Sequence, residues 1–254
     1  METIRLKLLK SMYENMDLQE LKKQYVQQEL SISKDFGRIL SFVDFGNVNY
    51  WFEEDRQTHE YVALKDNEKL FIDIEKLSDF LGIFSKDVRF YYGHDTINKK
   101  SIWFIQKAES IFGKNRVFTK AVQKVRHYLD SQDDRKVNTR TLHHDIGGDF
   151  VFLPKCNFDV EISVDAIKIV EHYDTVCLLS SDADFVYLLR FLKQKGKNVI
   201  LIKGGHVTHQ LKDISDLIIN AQDIKKRITG IKQKPGELPG FADRNPESTG
   251  RTIL

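Results

Sequence analysis

The strongest constraint on the fold is a series of short apolar runs that alternate with amphipathic stretches. The runs are rich in β-branched and aromatic residues, as strands are, and the stretches between them have helical periodicity. Strands and helices that alternate in this way form a parallel sheet covered on both faces. The sequence therefore predicts an α/β fold, a three-layer α/β/α sandwich with a mainly parallel sheet. The predicted strands are 39–44, 88–92, 116–119, 175–179 and 198–202, and the predicted helices are 73–83, 98–112, 158–172 and 184–196.

Composition limits the class of protein. The chain has 254 residues, 41% of them apolar, which is enough for one sizeable core. Lys and Arg number 39 against 37 Asp and Glu, so a nucleic-acid surface requires local segregation of charge. Cys156 and Cys177 lack the paired spacing of a zinc site or disulfide framework. No apolar run reaches the roughly 18 to 20 residues that span a bilayer, and the charged start does not resemble a signal peptide. We expect a soluble, cytoplasmic protein without membrane contact.

Three segments are predicted along the chain. Residues 1–34 form an N-terminal helical extension, 35–229 the main domain, and 230–254 a flexible tail that holds three of the four prolines. Within the main domain, the polar stretch 130–149 is predicted to be a long loop beside the site. The apolar residues of the extension suit one helical face, which packs against the main domain or forms a homo-oligomer or partner contact. They are Leu6, Leu9, Met12, Met16, Leu21 and Tyr25.

An acid and an amide stand at the end of the first predicted strand, RILSFVD. Asp44 is the last residue of that strand, and Asn47 follows three positions later. Ligands of doubly wound folds collect outside the carboxyl ends of the strands, so both side chains are candidates for a site. The alternative is an Asp that turns the chain or caps the following helix.

The strand at 175–179 ends in a similar way. Ser180, Ser181, Asp182 and Asp184 follow it directly. Two carboxylates two residues apart can share a divalent cation, because Mg²⁺ prefers oxygen ligands. Helix capping explains one of these acids, but a second one adds like-charge repulsion unless a cation is near. A metal site is therefore the favoured interpretation of this motif.

A third candidate comes from the phase of the predicted helix DVEISVDAIKIVEHY. At 100° per residue Asp159 falls in the apolar arc. A buried carboxylate is costly unless it is paired, hydrogen-bonded or bound to a cation. Asp159 is therefore a candidate ligand, the alternative being an N-terminal Asp turned to solvent. Asp165 is the reserve candidate. The predicted apolar face comprises Val160, Val164, Ala166, Ile167 and Val170, and the opposite face Glu161, Asp165 and Lys168.

These three motifs together resemble the NYN domain family, a branch of the PIN-like nucleases. The matching stretches are VDFGN, PKCNFDVEISVDAI and LLSSDADFVYLLRFLKQKGKNVILI, and the resemblance covers roughly residues 38–224. The ordered trio is far more specific than any single motif. Two features depart from the family pattern. A Lys-Gly-Val-Asp run is replaced by CNFD with Lys155 one position further back, and Ser181 stands where the family has Gly.

The resemblance implies a PIN-like fold and hydrolysis of RNA phosphodiester bonds by metal-activated water, with Mg²⁺ or Mn²⁺ as cofactor. Such a reaction requires ionised acids and no nucleophilic side chain. Two alternatives stay open: an RNA-binding or scaffold module with vestigial acids, and a topoisomerase-primase-type or phosphohydrolase domain with an Asp-x-Asp pair at a strand end. The implied metal ligands and catalytic residues are Asp44, Asp159, Asp182 and Asp184, supported by Asn47 and Ser180.

Charge is segregated in two acid-free stretches. Residues 110–129 contain basic residues that alternate with Phe118 and Tyr128, and residues 185–205 contain a second basic series. Such strips bind phosphates while aromatic rings stack on unpaired bases, although a solvated helix face is the alternative. We predict RNA, single-stranded or in structured loops, as the partner. The candidate substrate-binding residues are Lys99, Lys100, Lys120, Lys124, Arg126 and Lys155.

Overall fold

The computed structural model describes residues 18–129 and 142–233. Strands and helices alternate along most of this part of the chain. The strands are β1 (Ile39–Asp44), β2 (Glu68–Ile72), β3 (Ser85–His94), β4 (Val117–Ala121), β5 (Gln123–Tyr128), β6 (His143–Asp145), β7 (Gly148–Lys155), β8 (Thr175–Leu179), β9 (Asn198–Lys203), β10 (Leu217–Asn220) and β11 (Thr229–Gln233). The helices are α1 (Leu18–Glu29), α2 (Phe45–Val48), α3 (Ile74–Leu81), α4 (Lys99–Phe112), α5 (Asp159–Lys168), α6 (Val186–Gln194), α7 (His209–Ile214) and α8 (Ala221–Ile228).

The central sheet has six strands in the order β10-β9-β8-β1-β3-β4, and every neighbouring pair is parallel. In the middle of the sheet, Val43 of β1 lies between Phe90 of β3 and Leu179 of β8. From β1 the chain moves outward through β3 and β4, and it returns to the other side of β1 for β8, β9 and β10. Ligands of open α/β sheets bind where the strand order reverses, outside the carboxyl ends. The edge formed by the ends of β1 and β8 is such a place.

Helices cover both faces of this sheet. Successive residues of a strand point to opposite faces, and Phe42 and Val43 of β1 are both fully buried. Val43 belongs to an apolar cluster with Leu77 of α3 and residues of α4 and α8. Phe42 belongs to a second cluster with Ile162 of α5 and residues of α6 and α7. The predicted three-layer α/β/α architecture with a parallel sheet is confirmed.

The five predicted strands form most of the central sheet, and the four predicted helices correspond to α3, α4, α5 and α6 with shorter ends. The elements that were not predicted include β2, β10, α8 and β11. β11 pairs antiparallel with β2, with Thr229 opposite Ile72, and it continues to Gln233, past the predicted domain end at residue 229. The sequence TGIKQ of β11 has one large apolar residue, so apolar periodicity does not mark it as a strand. Residues 234–254 lie outside the described part of the chain.

The predicted loop at 130–149 is wrong for its second half. Here β6 and β7 pair with β5 in a separate three-stranded antiparallel sheet. Asp145 Oδ1 accepts the N–H of Gly147 at 2.8 Å, which fixes the turn between β6 and β7. Apolar periodicity does not indicate β6, because its sequence HHD is polar. In the structure the ring of His143 in β6 stacks on Phe150 of β7. The first part of the predicted loop, up to residue 141, lies outside the described residues.

Helix α1 is the described part of the predicted N-terminal extension. Val26 is buried in the core, and the Gln27 side-chain amide donates to the carbonyl of Ile83 at 3.0 Å, whereas Tyr25 faces solvent. Residues 1–17 lie outside the described part, so a homo-oligomer contact through this extension stays a prediction. Among residues 18–129 and 142–233, no helix has the length and apolar character that crossing a bilayer requires.

The predicted phase of α5 is wrong. Of the predicted apolar face, Ala166 is fully buried but Val160, Val164 and Ile167 are exposed, and Ile162, which was not assigned to that face, is fully buried. Ile162 and Ala166 belong, with Phe158, to the apolar cluster around Phe42 of β1, so this face docks on the sheet. Asp159 lies about 60° around the helix axis from Ile162, at the border of the buried face.

Replacing Ile162 by Ala tests the observed phase. Ile162 is 0% exposed and Val160 is 72% exposed. Ile162→Ala is expected to lower the free energy of unfolding by about 2–5 kcal/mol, because it leaves a cavity in the core. Val160→Ala is the control and is expected to change it by less than about 0.5 kcal/mol. Urea unfolding followed by circular dichroism measures both values, and equal losses would show that the helix docks otherwise.

Candidate metal centre

Three aspartates come together beyond the carboxyl ends of β1 and β8. Asp182 and Asp184 follow β8, and Asp159 is the first residue of α5. Each of these three residues, called the acidic cluster below, offers a carboxylate oxygen that lies within 4.8 Å of those of the other two. Negative groups at such distances repel each other, so the arrangement costs free energy unless positive charge is supplied.

Asp44 is linked to the acidic cluster through Ser180. The buried hydroxyl of Ser180 donates to Asp44 Oδ2 at 3.0 Å and accepts the backbone N–H of Asp182 at 3.2 Å. Asp44 is only 8% exposed. Burial raises the pKa of Asp44 to about 6; the hydrogen bond from Ser180 opposes this effect, and the charges of Asp159 and Asp182 reinforce it. This carboxyl therefore ionises fully at neutral pH only at a cost in free energy.

Backbone groups fix the orientation of the acidic cluster. Asp182 caps the short 3-10 helix that follows β8, because its Oδ1 accepts the N–H of Asp184 at 3.0 Å. A carboxylate has a second oxygen, which remains for another ligand. At the start of α5, the N–H of Asp159 donates to Asn157 Oδ1 at 2.7 Å. Burial raises the pKa of Asp159, and the charges of Asp182 and Asp184 raise it further.

Asn47 and Ser181 connect the loops after β1, β8 and β9. Asn47 Oδ1 accepts the indole N–H of Trp51 at 2.9 Å and the backbone N–H of Ser181 at 3.1 Å. Ser181 Oγ donates to the carbonyl of Gly204 at 2.6 Å and accepts its N–H at 3.1 Å. A side chain at Gly204 would overlap with the indole of Trp51. Asn47 and Ser181 thus position the loops that carry the acids.

Asp165, the reserve candidate, is engaged away from the acidic cluster. Its Oδ2 accepts the hydroxyl of Tyr91 at 2.8 Å and lies 3.5 Å from Nη1 of Arg89. Both partners belong to β3, so Asp165 ties α5 to the sheet. Sequence reasoning did not find this link because its partners lie far apart along the chain, and the assumed helix phase turned Asp165 to solvent.

Cys156 borders the site, and sequence reasoning did not assign it. It packs against Gly93 near the end of β3, where an added Cβ would overlap with the thiol. Burial raises the pKa of the Cys156 thiol, Lys120 lowers it, and the charges of Glu161 and Asp44 raise it. A thiol that keeps its proton is a poor metal ligand. The signal available in the sequence was its position three residues before Asp159.

The basic residue Lys120 of β4 is held at the start of α5. Its Nζ lies 2.6 Å from Glu161 Oε1 and 4.7 Å from the ring centroid of Phe158. Both members of the ion pair are partly exposed. The charge of Lys120 is therefore already opposed by an acid, which weakens the predicted contact between this residue and an RNA phosphate.

The other predicted substrate-binding residues occupy two regions. Lys99 and Lys100 are exposed on the first turn of α4, which follows the carboxyl end of β3. Arg126 lies on the small sheet, 3.1 Å from Asp145 Oδ2. The first region shares the sheet edge with the acidic cluster, whereas Arg126 is paired. The side chains that lie outside the described part of the structure are those of Lys124 and Lys155.

The oxygen donors at this edge fit a hard divalent cation. Two oxygens on opposite sides of Mg²⁺ lie about 4.2 Å apart, close to the separation limit within the acidic cluster. Carboxylates without soft or imidazole donors suit Mg²⁺ or Mn²⁺ better than copper or zinc. Among the described side chains, which do not include those of Lys124 and Lys155, no Lys or Arg forms an ion pair with Asp44, Asp159, Asp182 or Asp184.

The acidic cluster does not line either of the two surface hollows described next. One hollow of about 510 Å³ lies between residues 54–61 and the start of α8, and one of about 850 Å³ lies beside α1. Small-molecule sites are mostly enclosed and apolar. Asp159, Asp182 and Asp184, which are partly or fully exposed, lie outside both hollows.

Comparison with known families places the chain. The NYN domain matches residues 38–222, which is well over half of the sequence. The chain belongs to the NYN domain family. This NYN-domain protein is also 29% identical over 86 residues to the Low amplitude and bright protein LabA of Synechococcus elongatus. That match covers 34% of this chain and 46% of LabA, so the chain spans about half the length of the curated relative it matches.

Two solved structures are similar to the NYN-domain chain at low identity. VPA0982 of Vibrio parahaemolyticus, a protein of unknown function, is 20% identical with a TM-score of 0.47 and matches over 72% of this chain and 91% of that one. A chain from a structure entitled "Structural Basis for the Mechanism and Regulation of Sir2 Enzymes" is 13% identical with a TM-score of 0.35 and matches over 84% and 96%. Because both TM-scores are below 0.5, neither structural similarity supports a conclusion about this chain.

Asp44→Asn tests the burial of charge at this site. With EDTA present, the pKa of Asp44 is about 6 in the folded state against 3.8 as its ordinary value. The folded protein therefore loses stability as the pH rises from about 4 through about 6, by about 2 to 3 kcal/mol in the free energy of unfolding. Asn carries no charge and still accepts the Ser180 hydrogen bond. The variant is expected to melt at a higher temperature than wild type at pH 7.5, and the difference should vanish near pH 4.

The matched control is Asp79→Asn, at an exposed position of α3. This variant should follow wild type at every pH, because its carboxylate is already in water. Differential scanning calorimetry between pH 4 and 8 provides the melting temperatures. A gap between Asp44→Asn and wild type that does not change with pH would contradict the assignment.

Proposed function

We propose that this NYN-domain protein is a metal-dependent ribonuclease that hydrolyses RNA phosphodiester bonds. The observation that carries the proposal is the acidic cluster, whose three carboxylate oxygens lie within 4.8 Å of one another. No Lys or Arg whose side chain is described pairs with its members, so an added cation would relieve their repulsion. The NYN domain is a nuclease family, which supports hydrolysis as the reaction.

In this proposal the four aspartates hold Mg²⁺ or Mn²⁺. The acidic cluster supplies three anionic groups, and Asp44 adds a fourth when a cation compensates the cost of its ionisation. Ser180 orients Asp44 and acts as no nucleophile, since its buried hydroxyl is already shared between Asp44 and Asp182. When bound, the cation neutralises charge on the scissile phosphate and lowers the pKa of the attacking water.

Positive side chains near the acidic edge would hold the RNA backbone. Lys99 and Lys100 are exposed on the first turn of α4, and each neutralised phosphate adds to affinity by releasing counterions. Lys120 contributes only if it exchanges Glu161 for a phosphate. Both cysteines, Cys156 and Cys177, are free, in agreement with a reducing compartment such as the cytoplasm as the proposed location.

The direct test is cleavage of a generic single-stranded RNA in the presence of Mg²⁺ or Mn²⁺. Asp182→Asn is expected to reduce the rate by about 100-fold or more, because removal of a cation ligand removes several kcal/mol of transition-state stabilisation. Asp79→Asn, on the exposed side of α3, is the control and should cleave at the wild-type rate. Equal rates for wild type and Asp182→Asn would exclude the proposed site.

Metal binding can be measured without any substrate. Mn²⁺ at about 100 times its dissociation constant should stabilise the native state by about 2.7 kcal/mol, which raises the melting temperature by about 5 to 10 °C. Asp182→Asn should abolish this rise and Asp79→Asn should keep it. Stabilisation by the metal without RNA cleavage would indicate a binding or scaffold module that retains its site. No stabilisation of the wild type would indicate vestigial acids.

A further inference from the structure

An exposed aromatic ring lies close to the acidic cluster. Tyr187, the second residue of α6, is 82% exposed, while Val186 and Leu188 on either side of it are buried. The ring makes no contribution to either apolar core. Folding therefore does not account for an aromatic residue at this position, and its surroundings indicate what it can contact.

Helix geometry brings Tyr187 next to Asp184. The 3-10 helix Ala183–Phe185 runs directly into α6, and Tyr187 lies three residues after Asp184. Residues three apart share one helix face, with Cβ atoms about 5–6 Å apart. Long side chains on a helix lean toward its amino-terminal end, so Tyr187 leans over the turn that carries Asp184. The ring thus borders the candidate metal centre on its solvent side.

The next residue along this face is an exposed cation. Arg190 lies three residues beyond Tyr187, about 4.5 Å along the helix axis. None of the side chains that the structure describes forms an ion pair with Arg190. The other basic residues of the 185–205 stretch already have partners. Lys193 pairs with Asp216, Lys195 lies over the ring of Phe191, Lys197 donates to the carbonyl of Tyr173, and Lys203 donates to that of Gly205.

We propose that Tyr187 is a base-stacking platform and Arg190 a phosphate contact for a single-stranded nucleic acid that crosses the acidic cluster. The inference rests on the proposed function and adds a structural reason for selecting unpaired strands. In a duplex the faces of each base are covered by its neighbours, so a protein ring stacks only on an unpaired base. The order along the face is acid, ring and cation. In the proposal the acids face a metal-bound phosphate, the ring of Tyr187 stacks on the base of that nucleotide, and Arg190 contacts a neighbouring phosphate.

The position of Tyr187 makes it a determinant of strand specificity. Val160, the residue after Asp159 in α5, is also exposed and adds apolar surface next to the acidic cluster. The predicted aromatic partner Phe118 is not available for stacking, because its ring packs on Tyr91 with centroids 4.8 Å apart.

Oligonucleotide binding in the presence of Ca²⁺, which takes carboxylate ligands as Mg²⁺ does, tests this inference through binding rather than cleavage. The probes are fluorescein-labelled oligoadenylate RNA of about 12 nucleotides, the same sequence as DNA, and the RNA annealed to its complement. Fluorescence anisotropy with the full chain gives the dissociation constants. Tyr187→Ala is expected to weaken single-strand binding by about 5-fold or more, since it removes one stacked base. Tyr187→Phe keeps the ring and should bind like wild type.

Two further variants separate stacking from charge and from general damage. Tyr25→Ala removes another exposed tyrosine, from α1, and should bind like wild type. Arg190→Gln should weaken binding and make the slope of log affinity against log salt shallower by about 0.7, the value for one phosphate contact on a single strand. Lys23→Gln, an exposed cation of α1, should leave that slope unchanged.

Clear results overturn the inference. If Tyr187→Ala binds single strands as tightly as wild type, stacking on Tyr187 is excluded. Stacking is also excluded if the substitution weakens the binding of single strands and of the duplex by the same factor. A wild type that binds no oligonucleotide excludes the surface altogether. Conversely, binding that depends on Tyr187 without any RNA cleavage would support this inference and overturn only the proposed hydrolysis. Thermal melting of each variant establishes that it is folded.

Discussion

Repulsion between carboxylates at one edge of the sheet is the constraint on which the rest of the site depends. Parallel strands end at the same edge, so Asp44 and the acids after β8 converge there. Neutral donors limit the cost: the hydroxyl of Ser180 serves Asp44, and the backbone N–H of Asp184 serves Asp182. Hydrogen bonds of this kind orient the acids without removing their charge. The edge therefore keeps a strong negative potential that a lysine partner would have cancelled.

Helix α5 shows the same principle by contrast. It carries three acids toward the sheet side, and two of them have basic partners: Glu161 with Lys120, and Asp165 with Arg89. Asp159 instead faces other carboxylates. The ion pairs of Glu161 and Asp165 attach α5 to β4 and β3. They thereby hold Asp159 near Asp182 and Asp184 despite the repulsion between these carboxylates. The residue that faces each acid thus separates the acids that attach the helix to the sheet from the acid that is a candidate metal ligand.

The middle of the central sheet could be predicted from sequence because β1, β8 and β9 are buried on both faces and read as apolar runs, whereas the short edge strand β10 was not predicted. The acids at its edge could be predicted for the same reason, since the strand ends were visible. The phase of α5 could not, because Val160 and Val164 make its outer face more apolar than the face that docks. Docking depends on what lies beneath the helix, such as the hydroxyl of Tyr91, 74 residues from Asp165 in sequence. The resemblance to the NYN family predicted more of the candidate site residues than apolar periodicity did.

The small antiparallel sheet is joined to the acidic cluster by a very short tether. β7 ends at Lys155 and α5 begins at Asp159, and the first residue between them, Cys156, is wedged against Gly93. Three linking residues span at most about 11 Å when fully extended, so they have little slack to absorb movement. The position of the β5-β7-β6 sheet therefore restricts where the first turn of α5, and with it Asp159, can lie.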